Sequence, residues 1–261
     1  MTNIECRLCK EQAIFLFRGK VLDLSIKYYE CEVCRYVFTE EPYWLDRAYS
    51  EVMNLTDTGI MARNLANVRK SLVTLFLLGK LDKKVVDFAG GYGILVRILR
   101  DAGIDAYWAD PYAENYLARG FEYDNNDKAY LVTAFEAFEH FVNPKEEIDR
   151  LFEIAPNILF STKLIPKPAP DHNEWWYYGR EHGQHVGLFR EETLRYIAQK
   201  RNKYLVTNGT SHHLLTDRPI NAKIWNLALR GSKPLAYFLR QFLDSKTWSD
   251  HLDMKDKILL S

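Results

Sequence analysis

Cysteine is scarce in this chain of 261 residues, and glycine and proline stay at ordinary levels: 4 Cys, 13 Gly and 9 Pro. That punctuation excludes a collagen-like helix, a coiled coil and a disordered tail. No run of about 18 apolar residues occurs, so stable membrane insertion is not expected. The opening MTNIECRLCK has neither the basic flank nor the apolar stretch of a secretory signal, which makes a cytoplasmic protein the expectation. There is also no excess charge. The 35 Lys and Arg are matched by 35 Asp and Glu, which removes the positive field that non-specific binding to nucleic acid would need. What is present, 47% hydrophobic and 14% aromatic residues, suits a folded domain of enzyme size.

All four cysteines fall in the first 34 positions, as two pairs with the same internal gap: Cys6 with Cys9, and Cys31 with Cys34. Two such pairs with 21 residues between them have the spacing of a tetrahedral four-thiolate zinc site. Four soft ligands leave no position for water, so the metal would be structural. Between the pairs, apolar runs at 14–17 and 21–24 surround Arg18, Gly19 and Lys20 and predict a hairpin there, completing a zinc ribbon over residues 1–40. Four independent reduced cysteines are the plainer alternative, and two disulfides a third. The basic residues Lys10, Arg18, Lys20, Lys27 and Arg35 are diluted by Glu5, Glu11, Asp23, Glu30 and Glu32, so no nucleic-acid stripe forms.

Residues 41–57 read as a connecting segment or lid carrying Tyr43, Trp44 and Tyr49. A helix is predicted over 60–78, with Leu65, Val68, Leu72, Leu75 and Phe76 towards one face. Lys84–Phe88 then forms a short apolar strand that ends in the bend Ala89, Gly90, Gly91, Tyr92, Gly93, followed by a helical run from Ile94 to Ala102. Strand, glycine turn and helix make a phosphate- or nucleotide-binding unit, because glycines let a ligand approach the backbone and the helix start offers unpaired N–H groups. The next strand, Ala106–Ala109, delivers Asp110 and Pro111, and the Asp110 carboxylate is placed to accept both hydroxyls of a ribose. Further strands are expected at 129–134, 157–162 and 203–208, and a helix capped by Asn143 with Pro144 in its first turn. His212 and His213 are expected in a connecting loop. The apolar helices after residue 217 need cover, from the core, the ribbon or a second copy of the chain as a homodimer.

The bend resembles motif one of class I S-adenosylmethionine-dependent methyltransferases, acidic-x-Gly-x-Gly-x-Gly, through Asp87, Ala89, Gly91 and Gly93. Ala89 stands where the family has glycine, a change tolerated if its φ stays negative. The stretch from Phe135 to Pro144 resembles the "EHF-P" segment of a large branch of these enzymes. The stretch that begins at Trp175 and contains His182, Gly183, Gln184 and His185 resembles a second segment of that branch. The match spans about residues 58–200, with 58–216 as the core and 217–261 as carboxy-terminal helices. With the four cysteines ahead of it, the chain is also similar to bacterial sugar C-methyltransferases. The resemblance implies an α/β fold: a Rossmann-like, seven-stranded, mostly parallel sheet sandwiched by helices behind a small zinc ribbon. It further implies that residues 89–93 wrap S-adenosylmethionine, that Asp110 and Pro111 meet the ribose side, and that Glu136 or its neighbour Phe135 lines the methionine side. Arg63 and Asn64 resemble an "RN" pair that reaches the carboxylate or the substrate mouth in related enzymes.

Methyl transfer to a hydroxyl or carbon acid needs a proton removed, and histidine has the pKa for it. His140, His185 and His182 are the candidate bases, with Glu139 in the same pocket floor. A second metal through His182 and His185, with Asp171 and His172 upstream, stays open. Trp175, Trp176, Tyr177 and Tyr178 suggest an aromatic wall for a sugar or glycan acceptor. Hydroxyl and carbon acceptors look alike from the sequence. An NAD-dependent oxidoreductase and a non-catalytic zinc-ribbon adaptor with a degenerate core are the rival classes.

Overall fold

The computed structural model describes residues 4–49 and 57–260, so part of the expected lid, residues 50–56, lies outside the described residues. Strands β1 (Ile4–Glu5), β2 (Gln12–Val21), β3 (Leu24–Cys31) and β4 (Val37–Thr39) pair antiparallel in sequence order. The predicted hairpin is there, but its turn is not at Arg18–Lys20. β2 continues through those residues and reverses at Leu22 and Asp23, where Val21 faces Leu24. Gly19 serves contact rather than turning: a Cβ there would lie 2.3 Å from the His172 ring. Helix α1 (Leu45–Ala48) follows, and Trp44 just before it is buried, its Nε1–H donating to the Gly183 carbonyl at 2.8 Å.

Helix α2 (Ile60–Leu77) buries Asn67, Val68 and Ser71–Leu75, whereas Leu65 and Phe76, expected on the buried face, are exposed on its flank. The chain then alternates strand and helix: β5 (Val85–Phe88), α3 (Ile94–Asp101), β6 (Ala106–Ala109), β7 (Leu131–Phe135), α4 (Pro144–Ile154), β8 (Asn157–Ser161). Asn143 holds the N-cap position of α4, but its side chain makes no capping bond. The two-residue strand β9 (Gly187–Leu188) leaves this core and pairs with β4 (Val37 with Leu188, Phe38 with Gly187), so the amino-terminal sheet has five strands and the boundary near residue 40 does not divide it. Helix α5 (Glu191–Lys200) leads to β10 (Tyr204–Thr207) and β11 (His212–Thr216).

Among the described residues the central sheet has six strands in the order β10-β11-β8-β7-β5-β6, not seven. β8, β7, β5 and β6 are parallel, and β11 and β10 close the sheet as an antiparallel hairpin. The stretch where another edge strand would run, from Pro111 to Asp127, lacks an alternating apolar run and contributes a single bridge, Trp108 with Glu122. His212 and His213 lie in β11 rather than in a loop. His213 is buried between the Thr207 hydroxyl (2.7 Å) and the Thr162 carbonyl (3.0 Å), so its polar atoms are satisfied inside the strand.

Period-two alternation gives the sheet two apolar faces. Val85, Leu131, Leu159 and Leu214 pack with α2 and α3, and Val86, Val132, Ile158 and Leu215 with α4, α5 and the cysteine-bearing sheet. Helices α6 (Ala222–Arg230) and α7 (Ser232–Leu239) cover α2, where the buried Trp225 donates to the Thr74 hydroxyl at 3.2 Å. The last helix, α8 (Thr247–Leu260), is held to α3 by charge: Asp250 accepts from Arg100 Nη2 at 2.7 Å and from Arg97 Nη2 at 2.6 Å. Leu227, Tyr237, Phe242 and Trp248 of this carboxy-terminal part remain exposed.

Asp250 and Arg100 are both buried, and without Asp250 the guanidinium keeps only Asp105, at 3.2 Å, and the Ala106 carbonyl as partners. Asp250→Ala is expected to cost about 2–3 kcal/mol, below the range of about 3–5 kcal/mol for a buried charge left without any partner. Urea denaturation of the two proteins measures it, and a loss under about 1 kcal/mol, the surface-pair value, contradicts the assignment.

Candidate active site and metal centre

The carboxyl ends of parallel strands are where the loops of such a sheet converge on a ligand. The bend lies there. Gly91 and Gly93 have φ of 52° and 84°, and Ala89 sits at 56°, so the expectation of a negative φ is overturned. An alanine in this region costs about 1–2 kcal/mol of local strain. Gly90 and Gly93 are dictated by space. A Cβ on Gly90 would lie 2.7 Å from Trp108 Cδ1, and one on Gly93 would lie 2.6 Å from Asn115 Oδ1.

Asp110 closes on this bend: Oδ2 accepts the Gly91 N–H at 2.9 Å, and Oδ1 accepts the N–H groups of Tyr112 (2.8 Å) and Ala113 (3.1 Å). A carboxylate offers about four acceptor positions, so one is left for a ligand hydroxyl unless a backbone bond lets go. Pro111 follows, exposed. Asp87, buried beneath the bend, accepts from the Thr133 hydroxyl at 2.7 Å, and burial pushes its pKa up to about 7 against that bond. A cleft of about 490 Å³ beside the bend is lined by Trp108, Glu114, Asn115, Tyr116, Arg119 and Glu122. Another, of about 420 Å³, lies at the amino ends of the strands around Lys128, Phe152 and Lys203, away from these loops.

At the end of β7, Phe135 is half-buried and Glu136 is exposed with φ 52°; its N–H donates to Ser161 Oγ at 2.9 Å and its carboxylate accepts from the same hydroxyl. Arg63 stands at the start of α2 within electrostatic reach of Glu136, and donates to Asp57 at 2.5 Å. Asn64 donates to its own helix, to the Ile60 carbonyl at 2.9 Å.

Glu139 and His140 end a 3-10 turn, Phe138–His140, and meet the His182–His185 loop. The rings of His140 and His185 lie 5.0 Å apart, and those of His182 and His185 4.8 Å apart. His185 Nδ1 lies 2.7 Å from the Tyr177 carbonyl, which fixes a proton on Nδ1 and leaves the lone pair on Nε2. His182 is the opposite tautomer, because its Nδ1 accepts the Gln184 N–H at 3.1 Å. His140 Nδ1 lies 2.8 Å from the Tyr49 hydroxyl. Glu139 is buried, with Oε1 accepting from the Tyr177 hydroxyl at 2.5 Å and Oε2 without a hydrogen-bond partner among the described residues. Burial, then the Glu136 charge, raises the Glu139 pKa to about 8. Burial, then His182, lowers that of His140 to about 4 and, with His140 and His182, that of His185 far below the usual value.

The expected aromatic wall divides. Tyr177 and Tyr178 are buried, Trp175 is half-buried, and Trp176 alone of the four is exposed. Tyr177 instead braces the histidines, also taking the Lys163 N–H on its hydroxyl at 2.9 Å. That role and the partnership of Tyr49 with His140 across 91 residues are not marked by any spacing in the sequence. His172, considered as a metal ligand, is packed away at 3.2 Å from the Tyr28 hydroxyl.

The four cysteines are free thiols whose sulfurs lie within 4.8 Å of one another. Cys6 and Cys34 are 3.6 Å apart, Cys9 and Cys31 3.3 Å, close to the edge of about 3.8 Å of a tetrahedron with Zn–S bonds near 2.3 Å. The two knuckles repeat one geometry. Lys10 and Arg35, each just after a second cysteine, have φ of 66° and 60° and donate their N–H to the carbonyls of Cys6 and Cys31. The residues fit a tetrahedral metal.

No curated protein matches this sequence. Among solved structures, magnesium protoporphyrin IX methyltransferase from Synechocystis PCC 6803 with bound S-adenosylhomocysteine is 18% identical, with 66% of this chain and 90% of that one covered and a TM-score of 0.43. An O-methyltransferase family 2 protein from Planctomyces limnophilus DSM 3776, in complex with apigenin, is 14% identical over 65% and 63%, TM-score 0.40. Human N-acetylserotonin methyltransferase with S-adenosylmethionine is 12% identical over 59% and 52%, TM-score 0.41. The family model described as a methyltransferase domain matches residues 60–208, more than half of the chain, from α2 through β10 and with both the glycine bend and the histidine cluster inside it. The chain therefore belongs to that family, as a class I S-adenosylmethionine-dependent methyltransferase.

Proposed function

We propose that the protein moves a methyl group from S-adenosylmethionine to a hydroxyl of a sugar, glycan or other small hydroxylated metabolite, in a reducing, cytoplasmic setting that keeps its cysteines as thiols. The observation that carries the reading is the bond between Asp110 and Gly91, which puts a ribose-type carboxylate on a glycine bend at the carboxyl ends of β5 and β6. In this reading residues 89–93 and Pro111 enclose the nucleoside, Phe135 and Glu136 the methionine side, and Arg63 with Asn64 the amino-acid carboxylate. Arg63 suits a carboxylate by its fork of donors.

The acceptor's proton goes to a histidine. His185 is the first choice, because its Nε2 lone pair is already exposed by the bond at Nδ1, and His140 is second. His182 presents an N–H at Nε2 and is left to orient the loop. Glu139, kept protonated by burial, supports the cluster through Tyr177. Zinc on Cys6, Cys9, Cys31 and Cys34 is structural, since four thiolates leave no open position.

Calorimetric titration is expected to show S-adenosylhomocysteine binding in the micromolar range and NAD not at all; the reverse makes the chain an oxidoreductase. Asp110→Ala should weaken that binding, and a variant that binds like the parent favours the non-catalytic adaptor.

Mass spectrometry of nucleotide sugars and glycans, incubated with the methyl donor, identifies the acceptor by its gain of one methylene. With that acceptor, His185→Asn is expected to lower kcat by about 10²–10⁴, the usual range for a lost general base, with S-adenosylhomocysteine affinity unchanged. An unchanged kcat removes His185 from the chemistry.

Metal analysis should find at least one zinc per chain, held by the four cysteines. Cys31→Ser should lose it, lower the melting temperature and, because β4 holds β9, lower kcat as well. A zinc-free protein with the parent's melting temperature refutes the structural role.

A further inference from the structure

Glu139, His140 and His185 have a geometry that proton uptake alone does not require. One carboxylate oxygen and one nitrogen from each ring lie within 4.8 Å of one another, from two segments 45 residues apart in sequence that meet at the end of β7. Ligands bound at about 2.0–2.2 Å to one cation are spaced within that limit. Each member is already oriented from behind, as metal ligands are. The Tyr177 carbonyl holds His185 Nδ1, the Tyr49 hydroxyl holds His140 Nδ1, and the Tyr177 hydroxyl holds Glu139 Oε1. The ring nitrogen left over on both histidines is Nε2. Glu139 Oε2, on a side chain with no exposed surface, has no hydrogen-bond partner among the described residues. A polar oxygen buried without a partner is unfavourable, and a cation that takes the place of its proton removes that cost.

We propose that Glu139, His140 and His185 bind a divalent transition-metal ion, separate from the four-cysteine centre. Two imidazoles and one carboxylate suit zinc, cobalt, nickel or ferrous iron rather than magnesium or calcium, and they leave coordination positions open. The set differs from the His182, His185, Asp171 and His172 combination considered from sequence spacing, since His172 is packed against Tyr28. The consequence for chemistry rests on the methyl-transfer reading: an ion here would favour the deprotonated acceptor oxygen, and His140 and His185 would then act as its ligands instead of as a free base. Binding itself is read on the protein alone.

The test is titration with cobalt(II) of the full chain carrying a single equivalent of zinc, on its four cysteines, followed by absorption and metal analysis. One further equivalent of cobalt is expected, with weak visible bands and no thiolate charge transfer. Glu139→Gln and His185→Asn should each weaken it at least about tenfold, while His182→Asn leaves it in place. S-adenosylhomocysteine affinity, measured on the same proteins, reports that the variants fold. The inference is overturned by a chain that takes no cobalt beyond the four-cysteine site, or by uptake that Glu139→Gln and His185→Asn leave unaltered. Cobalt uptake without S-adenosylhomocysteine binding upholds this site and removes the methyl-transfer reading; the opposite pattern does the reverse.

Discussion

Two backbone pairings, Val37 with Leu188 and Phe38 with Gly187, join the cysteine-bearing sheet to the loop that carries the histidines. Almost everything at the site depends on this short ladder, because His185 is two residues from Gly187. Side chains reinforce it. Glu30 of β3 is buried against Arg190 at the start of α5, with Nε to Oε1 at 3.0 Å, and Tyr36, Phe138, Phe160 and Phe189 pack as one aromatic cluster across the junction. Gly187 is required by contact, since a Cβ there would lie 1.8 Å from the Tyr36 hydroxyl. The four-cysteine element is thus part of the wall beside the histidine cluster, joined to it by one strand and one aromatic cluster.

The same burial that makes the junction firm sets the electrostatics of the cluster beside it. Withdrawn from water, a carboxylate and an imidazolium are both disfavoured, so Glu139 is driven towards its acid form and His140 and His185 towards their neutral forms. The result is a set of groups without charge, each with one polar atom held from behind and one facing its neighbours. At the bend the balance is different. Asp110 is half-buried and accepts three backbone N–H groups, from Gly91, Tyr112 and Ala113. Two kinds of polar site therefore sit at one end of the sheet.

Much of this was legible in the chain. Strands β5, β6, β7 and β8 announce themselves as short apolar runs, and the bend by its glycines, because backbone geometry and close approach admit few other residues there. Position misleads where a residue answers to a distant neighbour. Gly19 looked like a turn and is a clearance for His172; Ala89 looked tolerable at negative φ and is held at 56°; His212 and His213 looked like loop residues and are strand residues with satisfied rings.

By itself the sequence determined the α/β alternation, the glycine bend with Asp110 after the next strand, and the two cysteine pairs, since each rests on spacing within a few residues. Only the tertiary structure decided that the edge strand would shrink to one bridge and that β9 would extend the cysteine sheet. It alone brought Tyr49 and Tyr177 to the histidines and left Glu139 with an oxygen that has no partner among the described residues. Several of these depend on contacts between distant segments, such as Tyr49 with His140, 91 residues apart, and Val37 with Leu188. No local periodicity encodes such contacts, because packing density and hydrogen-bond satisfaction are settled by all the surrounding side chains at once.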